Sequence, residues 1–102
     1  MANTIKTGTL VLGAGPGGYV AAIRLAQLGN KVVLVDKDKL GGICLNYGCI
    51  PSKAMISASE FLDKIKKADN MGIEVDRVTM NFTKMQKWKD GIIFKLNKGI
   101  EF

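Results

Sequence analysis

The chain has 102 residues, with 15 Lys and Arg, 9 Asp and Glu, and no His. That is at most one domain, and 47% hydrophobic with 24% charged residues excludes a disordered or collagen-like chain. Without His there is no Ser-His-Asp or Cys-His pair and no imidazole base, and two Cys do not make a closed structural zinc site.

The net charge of +6 favours anionic partners such as phosphates. No Lys/Arg block with interleaved aromatics occurs, so nothing points to nucleic acid. The longest uncharged run, Thr7 to Ile23, holds five Gly and one Pro and is short for a membrane span. The first residues lack the pattern of an export signal. A cytoplasmic chain away from membranes is expected, where a static structural disulfide would be unusual. A chain of this length can bury about two-thirds of its unfolded surface, so a core is possible without staples.

In chain order, Thr9-Leu-Val-Leu12 reads as a strand buried on both faces. It runs into Gly13-Ala-Gly-Pro-Gly-Gly18. Residues 17–29 are rich in helix formers, with Pro at the start and Gly at the stop. Lys31-Val-Val-Leu-Val35 is a second buried strand, ending in Asp36. The two strands are expected to be parallel and adjacent. Residues 38–48 look like a loop. Pro51 suits the first turn of a second helix, with Ala54, Ala58, Phe61, Leu62, Ile65 and Ala68 on its apolar face and a stop at Asn70-Met-Gly72. Residues 72–75 suit a short strand. Asn81 is an N-cap for a third helix over 82–98, with a stripe of Phe82, Met85, Trp88, Ile92, Ile93 and Leu96.

Gly13-x-Gly-x-x-Gly18 is a dinucleotide fingerprint. The first Gly permits the turn, the second lets backbone approach a pyrophosphate, and the third lets helix pack on strand. Free N–H groups at the helix start then face the phosphates. An acidic group at the end of the second strand, here Asp36, can accept from a ribose. The motif alone does not choose between FAD and a nicotinamide dinucleotide.

Cys44-Leu-Asn-Tyr-Gly-Cys49 leaves two readings open: inert buried thiols, or a redox pair. In a regular helix, residues five apart point about 140° away from each other. A bridge therefore needs irregular backbone, which Asn46 and Gly48 tolerate. Cys49 also stands at a helix start, which lowers a thiol pKa, and Lys53 adds positive potential one turn on. These features favour a reversible disulfide.

Gly41-Gly-Ile-Cys-Leu-Asn-Tyr-Gly-Cys-Ile-Pro-Ser-Lys53, together with Gly13-Ala-Gly-Pro-Gly-Gly18, resembles the flavoprotein disulfide reductases. Leu45-Asn46 and Ile50-Pro-Ser-Lys53 are most similar to the dihydrolipoamide dehydrogenase branch; glutathione and mercuric reductases carry similar loops. The resemblance is dense over residues 9–60 and looser to the end. It implies a Rossmann-like α/β half-domain, incomplete relative to the family. Residues 1–102 would be the N-terminal part of an FAD-binding domain: a βαβ unit at 9–36, the redox loop and helix at 41–70, and a third helix at 82–98.

The resemblance further implies FAD held by Gly13, Ala14, Gly15, Pro16, Gly17 and Gly18, with Asp36 on the adenosine ribose and Lys37 nearby. Gly42, Ile43 and the cysteine loop would line the flavin. Cys44 would be the interchange thiol, Cys49 the thiolate against the flavin, and Lys53 a cation beside the ring. NAD would bind outside these residues. The partners implied are a lipoyl-bearing acyltransferase of a 2-oxoacid dehydrogenase complex and a second subunit in a homodimer. The family's other domains and its catalytic His are not in the sequence, so the 102 residues alone are expected to be inactive. A non-catalytic remnant or simple nucleotide-binding module is the alternative. Three positions depart from the family: Ile43 for Thr, Asp36 for a longer Glu, and Tyr47 for a smaller aliphatic, expected to crowd the redox loop.

Overall fold

The computed structural model describes residues 3–102. Two four-residue strands, β1 (Thr9–Leu12) and β2 (Val32–Val35), flank the helix α1 (Pro16–Gln27). The strands pair in parallel, with Thr9 opposite Val32 and Leu12 opposite Val35. This is the expected βαβ order. Gly29 ends the α1 turn in the left-handed region, at φ +86°, where a residue without Cβ has no steric cost.

The expectation of strands buried on both faces is corrected. Side chains alternate between the faces of a sheet, and α1 covers only one of them. Val11 faces α1 beside Gly18, whereas Leu10 and Leu12 are 54% and 76% exposed on the other face.

Residues 38–48, read as a loop from their glycines, contain a six-residue helix, α2 (Gly42–Tyr47). After Gly48 comes α3 (Cys49–Lys66), which starts two residues before Pro51. A 3-10 turn over Ala68–Met71 and a left-handed Gly72 (φ +76°) end that arm. No strand forms over 72–75, because no neighbouring strand offers its edge there and an unpaired strand has no ladder to join. The last helix, α4 (Phe82–Glu101), is capped as expected: the Asn81 side chain accepts from Lys84 N at 3.0 Å. It runs three residues past the expected stop at 98.

α3 packs on α2 and α4, and α2 touches α1 and α4. The core is small. Besides Gly41, the buried residues are Ala14, Ala22, Leu45, Asn46, Ala54 and Ala68, and no large side chain is fully buried among the described residues. Phe61, on the apolar face of α3, is 66% exposed. Trp88 and Phe82 of the α4 stripe are also exposed, while Met85, Ile92 and Ile93 are half-buried. The radius of gyration is 20.2 Å, with extents of 66 × 31 × 18 Å; a compact chain of this length measures about 13 Å. No helix among the described residues is long and apolar enough to cross a membrane.

Candidate functional site

The fingerprint turn is held by backbone. Gly13, at φ +101°, donates its N–H to Val35 O at 2.7 Å, so the turn leaves β1 while still tied to β2. A Cβ on Gly18 would fall on the carbonyl of Gly13. That is the close helix–strand approach expected of the third glycine. Gly15 is the N-cap of α1 in extended backbone, without a side-chain cap, and a Cβ there would meet nothing within 4 Å. Pro16 follows with no N–H to donate. The first-turn N–H groups of Gly17 and Gly18 have no carbonyl inside the helix to bond, and no acidic residue lies in that turn. An uncapped helix start beside an open glycine suits a pyrophosphate.

Asp36 stands at the end of β2. Its Oδ2 accepts from Ala14 N at 2.6 Å and its Oδ1 from Asp38 N at 2.8 Å. The Ala14 N–H, and after it the Asp38 N–H, hold the carboxyl below its ordinary value, because both bonds favour the charged form. A carboxylate offers about four lone-pair positions, so two contacts leave it able to accept from a ribose. Asp36 and Lys37 line a cleft of 330 Å³ with Leu12, Gly13 and Val35, at the carboxyl ends of the strands where open α/β sheets bind ligands.

The cysteine segment sits directly on this turn. Gly41 donates to Ala14 O at 2.8 Å, and a Cβ on Gly42 (φ +67°) would lie 2.6 Å from Gly15 Cα. Only glycine allows two backbones to meet so closely. α2 starts here and carries Cys44. Gly48, at φ −128° and ψ −100°, breaks the helix before α3 begins at Cys49. That break is the irregular backbone a bridge needs: Cys44 and Cys49 have Cα atoms 4.6 Å apart and are joined in a disulfide. Cys44 is half-buried and Cys49 exposed at the start of α3.

The structure thus gathers Asp36 and Gly42 around the turn of Gly13, Ala14, Gly15, Pro16, Gly17 and Gly18, and Cys44 and Cys49 follow on the segment that leaves Gly42. Ile43 is exposed on α2. Lys53 is exposed on the first turns of α3. Tyr47 does not crowd the loop: its ring turns outward and its hydroxyl donates to Asp38 Oδ2 at 2.9 Å. That hydrogen bond to a carboxylate raises the phenol above its usual value. The sequence marks Asn46 as a residue that tolerates irregular backbone and as part of the family's loop, but not as what it is here, the single buried polar side chain among the described residues. Its spacing from Cys44 and Cys49 was visible, but its partner, 51 residues away, was not.

The chain is 59% identical over 97 residues to a dihydrolipoyl dehydrogenase of Geobacillus stearothermophilus, covering 95% of this chain and 21% of that protein. It is 58% identical over 96 residues to the dihydrolipoyl dehydrogenase of Bacillus subtilis (strain 168), covering 94% and 20%. It is 52% identical over 99 residues to dihydrolipoyl dehydrogenase 2 of Haloarcula marismortui, covering 95% and 21%. The chain therefore spans about a fifth of the length of the curated relatives it matches. Residues 7–102 match the sequence pattern of the pyridine nucleotide-disulphide oxidoreductases, and with the fingerprint and the disulfide in place the chain belongs to that family.

Proposed function

We propose that residues 1–102 form the N-terminal part of an FAD-binding domain and carry the redox disulfide of a dihydrolipoyl dehydrogenase. The units are the βαβ element at 9–36, the redox segment at 41–70 and the helix at 82–98. The observation that carries this reading is the seating of the disulfide segment on the fingerprint, Gly42 against Gly15. It sets a thiol pair beside a dinucleotide cradle in one short stretch of chain.

The residues fit FAD. Gly15 leaves open space, the N–H groups of Gly17 and Gly18 would hold the pyrophosphate, and Asp36 would accept from the adenosine ribose with Lys37 alongside. Ile43 and Gly42 would border the flavin side, and Lys53 would supply positive charge there. When bound, FAD takes two electrons from the thiol pair and returns them to NAD, bound elsewhere in the protein, as hydride.

The thiol chemistry belongs to the chain's own residues. A dihydrolipoyl thiolate attacks Cys44 Sγ, a substrate–Cys44 bond forms, and the Cys44–Cys49 bond breaks with its electron pair on Cys49 Sγ. The second substrate thiol attacks the mixed disulfide, closes the lipoyl ring and releases Cys44 as thiol. The substrate loses two electrons and the cysteine pair gains them. Cys49, at the start of α3, is placed where the helix dipole favours its thiolate. The substrate arrives on a lipoyl-bearing acyltransferase of a 2-oxoacid dehydrogenase complex, the whole protein works as a homodimer, and the compartment is the cytoplasm.

The test is FAD retention by the purified chain, read by visible absorption after gel filtration, with thiols counted before and after mild reduction. The chain retains flavin and gains two thiols on reduction. Gly15→Val, whose Cβ meets nothing within 4 Å in the folded chain, keeps the thiol count and weakens FAD affinity by more than about tenfold, roughly the 1.4 kcal/mol of one lost charge-assisted contact. A colourless chain, or equal affinity in the variant, overturns the reading.

A further inference from the structure

α2 has six residues, starts at a left-handed Gly41 with no side-chain cap, and stops at Gly48. A helix this short does not persist alone in water, because nucleation costs more than its few hydrogen bonds return. Yet it must keep Cys44 beside Cys49 whenever the bond between them is open. Leu45 and Asn46 are the residues it buries, and Asn46 does so with its polar atoms engaged.

Asn46 is 8% exposed. Its Nδ2 donates to Leu40 O at 3.0 Å and to Gly42 O at 2.8 Å. Its Oδ1 accepts from Asn97 Nδ2 of α4 at 2.7 Å. The opposite orientation of the Asn46 amide would set donor against donor at Asn97 and acceptor against two carbonyls, so the network fixes which end is which. The contact comes at a cost on the other side: Asn97 Oδ1 is buried without a partner, and such a group typically costs about 1–3 kcal/mol. α4 thus commits an amide to the residue midway between the cysteines.

We propose that Asn46 is the positioning residue of the redox couple, holding α2 between the Leu40 turn and α4 so that the open thiols stay adjacent, and that it thereby sets the reduction potential of Cys44 and Cys49. This rests on the reading that the pair cycles. Closing the bond is an intramolecular step whose equilibrium follows how well the two thiols are held together. If α2 frays, the thiols separate, the dithiol gains freedom and the disulfide becomes easier to reduce. Asn46 touches neither sulfur in this account and acts only through the helix that carries Cys44.

The experiment equilibrates the full chain in buffers of reduced and oxidised glutathione. Two glutathione thiols are oxidised to one glutathione disulfide as Cys44–Cys49 is reduced to two thiols, which are counted by alkylation and mass. Asn46→Ala moves the equilibrium about tenfold toward the dithiol, about 30 mV for two electrons. Asn97→Ala moves it the same way by about threefold, and carries the test if Asn46→Ala loses its helical circular dichroism. Asn81→Ala, which weakens α4 at its far end, leaves the midpoint in place. Unmoved midpoints in Asn97→Ala and a folded Asn46→Ala overturn the positioning role, as does an equal shift in Asn81→Ala. A wild-type chain with no reversible midpoint instead overturns the functional reading beneath it.

Discussion

Residues 8–48 and residues 49–101 hold together by different means. In the first stretch backbone meets backbone: Gly13 N on Val35 O, Gly41 N on Ala14 O, and Gly18 and Gly42 against Gly13 and Gly15. In the second, two long helices meet through a thin set of half-buried side chains, α4 buries no residue, and Phe61 and Trp88 stay exposed. The site is therefore specified by where a Cβ is absent, and the helical arm by caps and apolar spacing. The same chemical change should have opposite consequences in the two stretches.

The largest effect expected is a pair of Gly→Ala changes of opposite sign. At Gly18 the added methyl lands on the Gly13 carbonyl, a backbone group that cannot move without breaking the turn. The cost is about 1–3 kcal/mol or more, as for other overpacked positions. At Gly91, inside α4, a Cβ meets nothing within 4 Å. Alanine there is expected to stabilise by about 0.5–1 kcal/mol through helix propensity and a stiffer unfolded chain. Urea unfolding followed by circular dichroism reads both, and two shifts of the same sign would erase the distinction between the stretches.

A second break separates them by pH. The Asp36 carboxyl is held below its ordinary value of 3.8 by the Ala14 and Asp38 N–H groups. The unfolded chain therefore binds more protons than the folded one in the window below that value. The stabilisation is complete above it and disappears as pH falls through the lowered value. Asp36→Asn removes this dependence, so acid unfolding of the variant is shallower below pH 4 than that of the wild type, while the two converge at the acid end. The ion pairs of the helical arm are of another kind: Lys67–Asp63 and Lys98–Glu101 are exposed, Lys89–Asp90 pairs a half-buried Lys with an exposed Asp, and exposed pairs are weak. Superimposable acid profiles would show that Asp36 does not tie β2 to the turn.

The two stretches also differ in how far the sequence discloses them. The βαβ order, the fingerprint and the Asn81 cap are local, so spacing and residue type reach them. The disulfide was legible as a possibility because Gly48 lies between the thiols. α2 was not, since Gly41, Gly42 and Gly48 read as loop residues and the helix is held by contacts to Leu40 and Asn97 rather than by propensity. The strand over 72–75 failed for the converse reason: its pattern is right, but no strand lies beside it. Apolar periodicity located α3 and α4, yet it states only which residues share a face. It does not state what covers that face, and so Phe61 and Trp88 sit on the apolar faces that periodicity finds and yet stay exposed.

The smallest effect expected lies at the far end of α4. Asn81 Oδ1 accepts from Lys84 N at 3.0 Å, satisfying one of the four N–H groups that a helix start leaves unbonded. All of residues 81–84 are exposed, so water replaces the lost acceptor in Asn81→Ala and the cost falls near the low end of the usual range, about 0.5 kcal/mol. Because α4 touches α2 at its other end, through Asn97, fraying at residue 82 does not reach the disulfide. Hydrogen exchange should quicken at Met85 and the N–H groups before it, and stay unchanged at Leu45 and Asn46. Faster exchange in α2 would mean that the long helix transmits its first turn to the redox segment, and the two stretches would then be one cooperative unit rather than two.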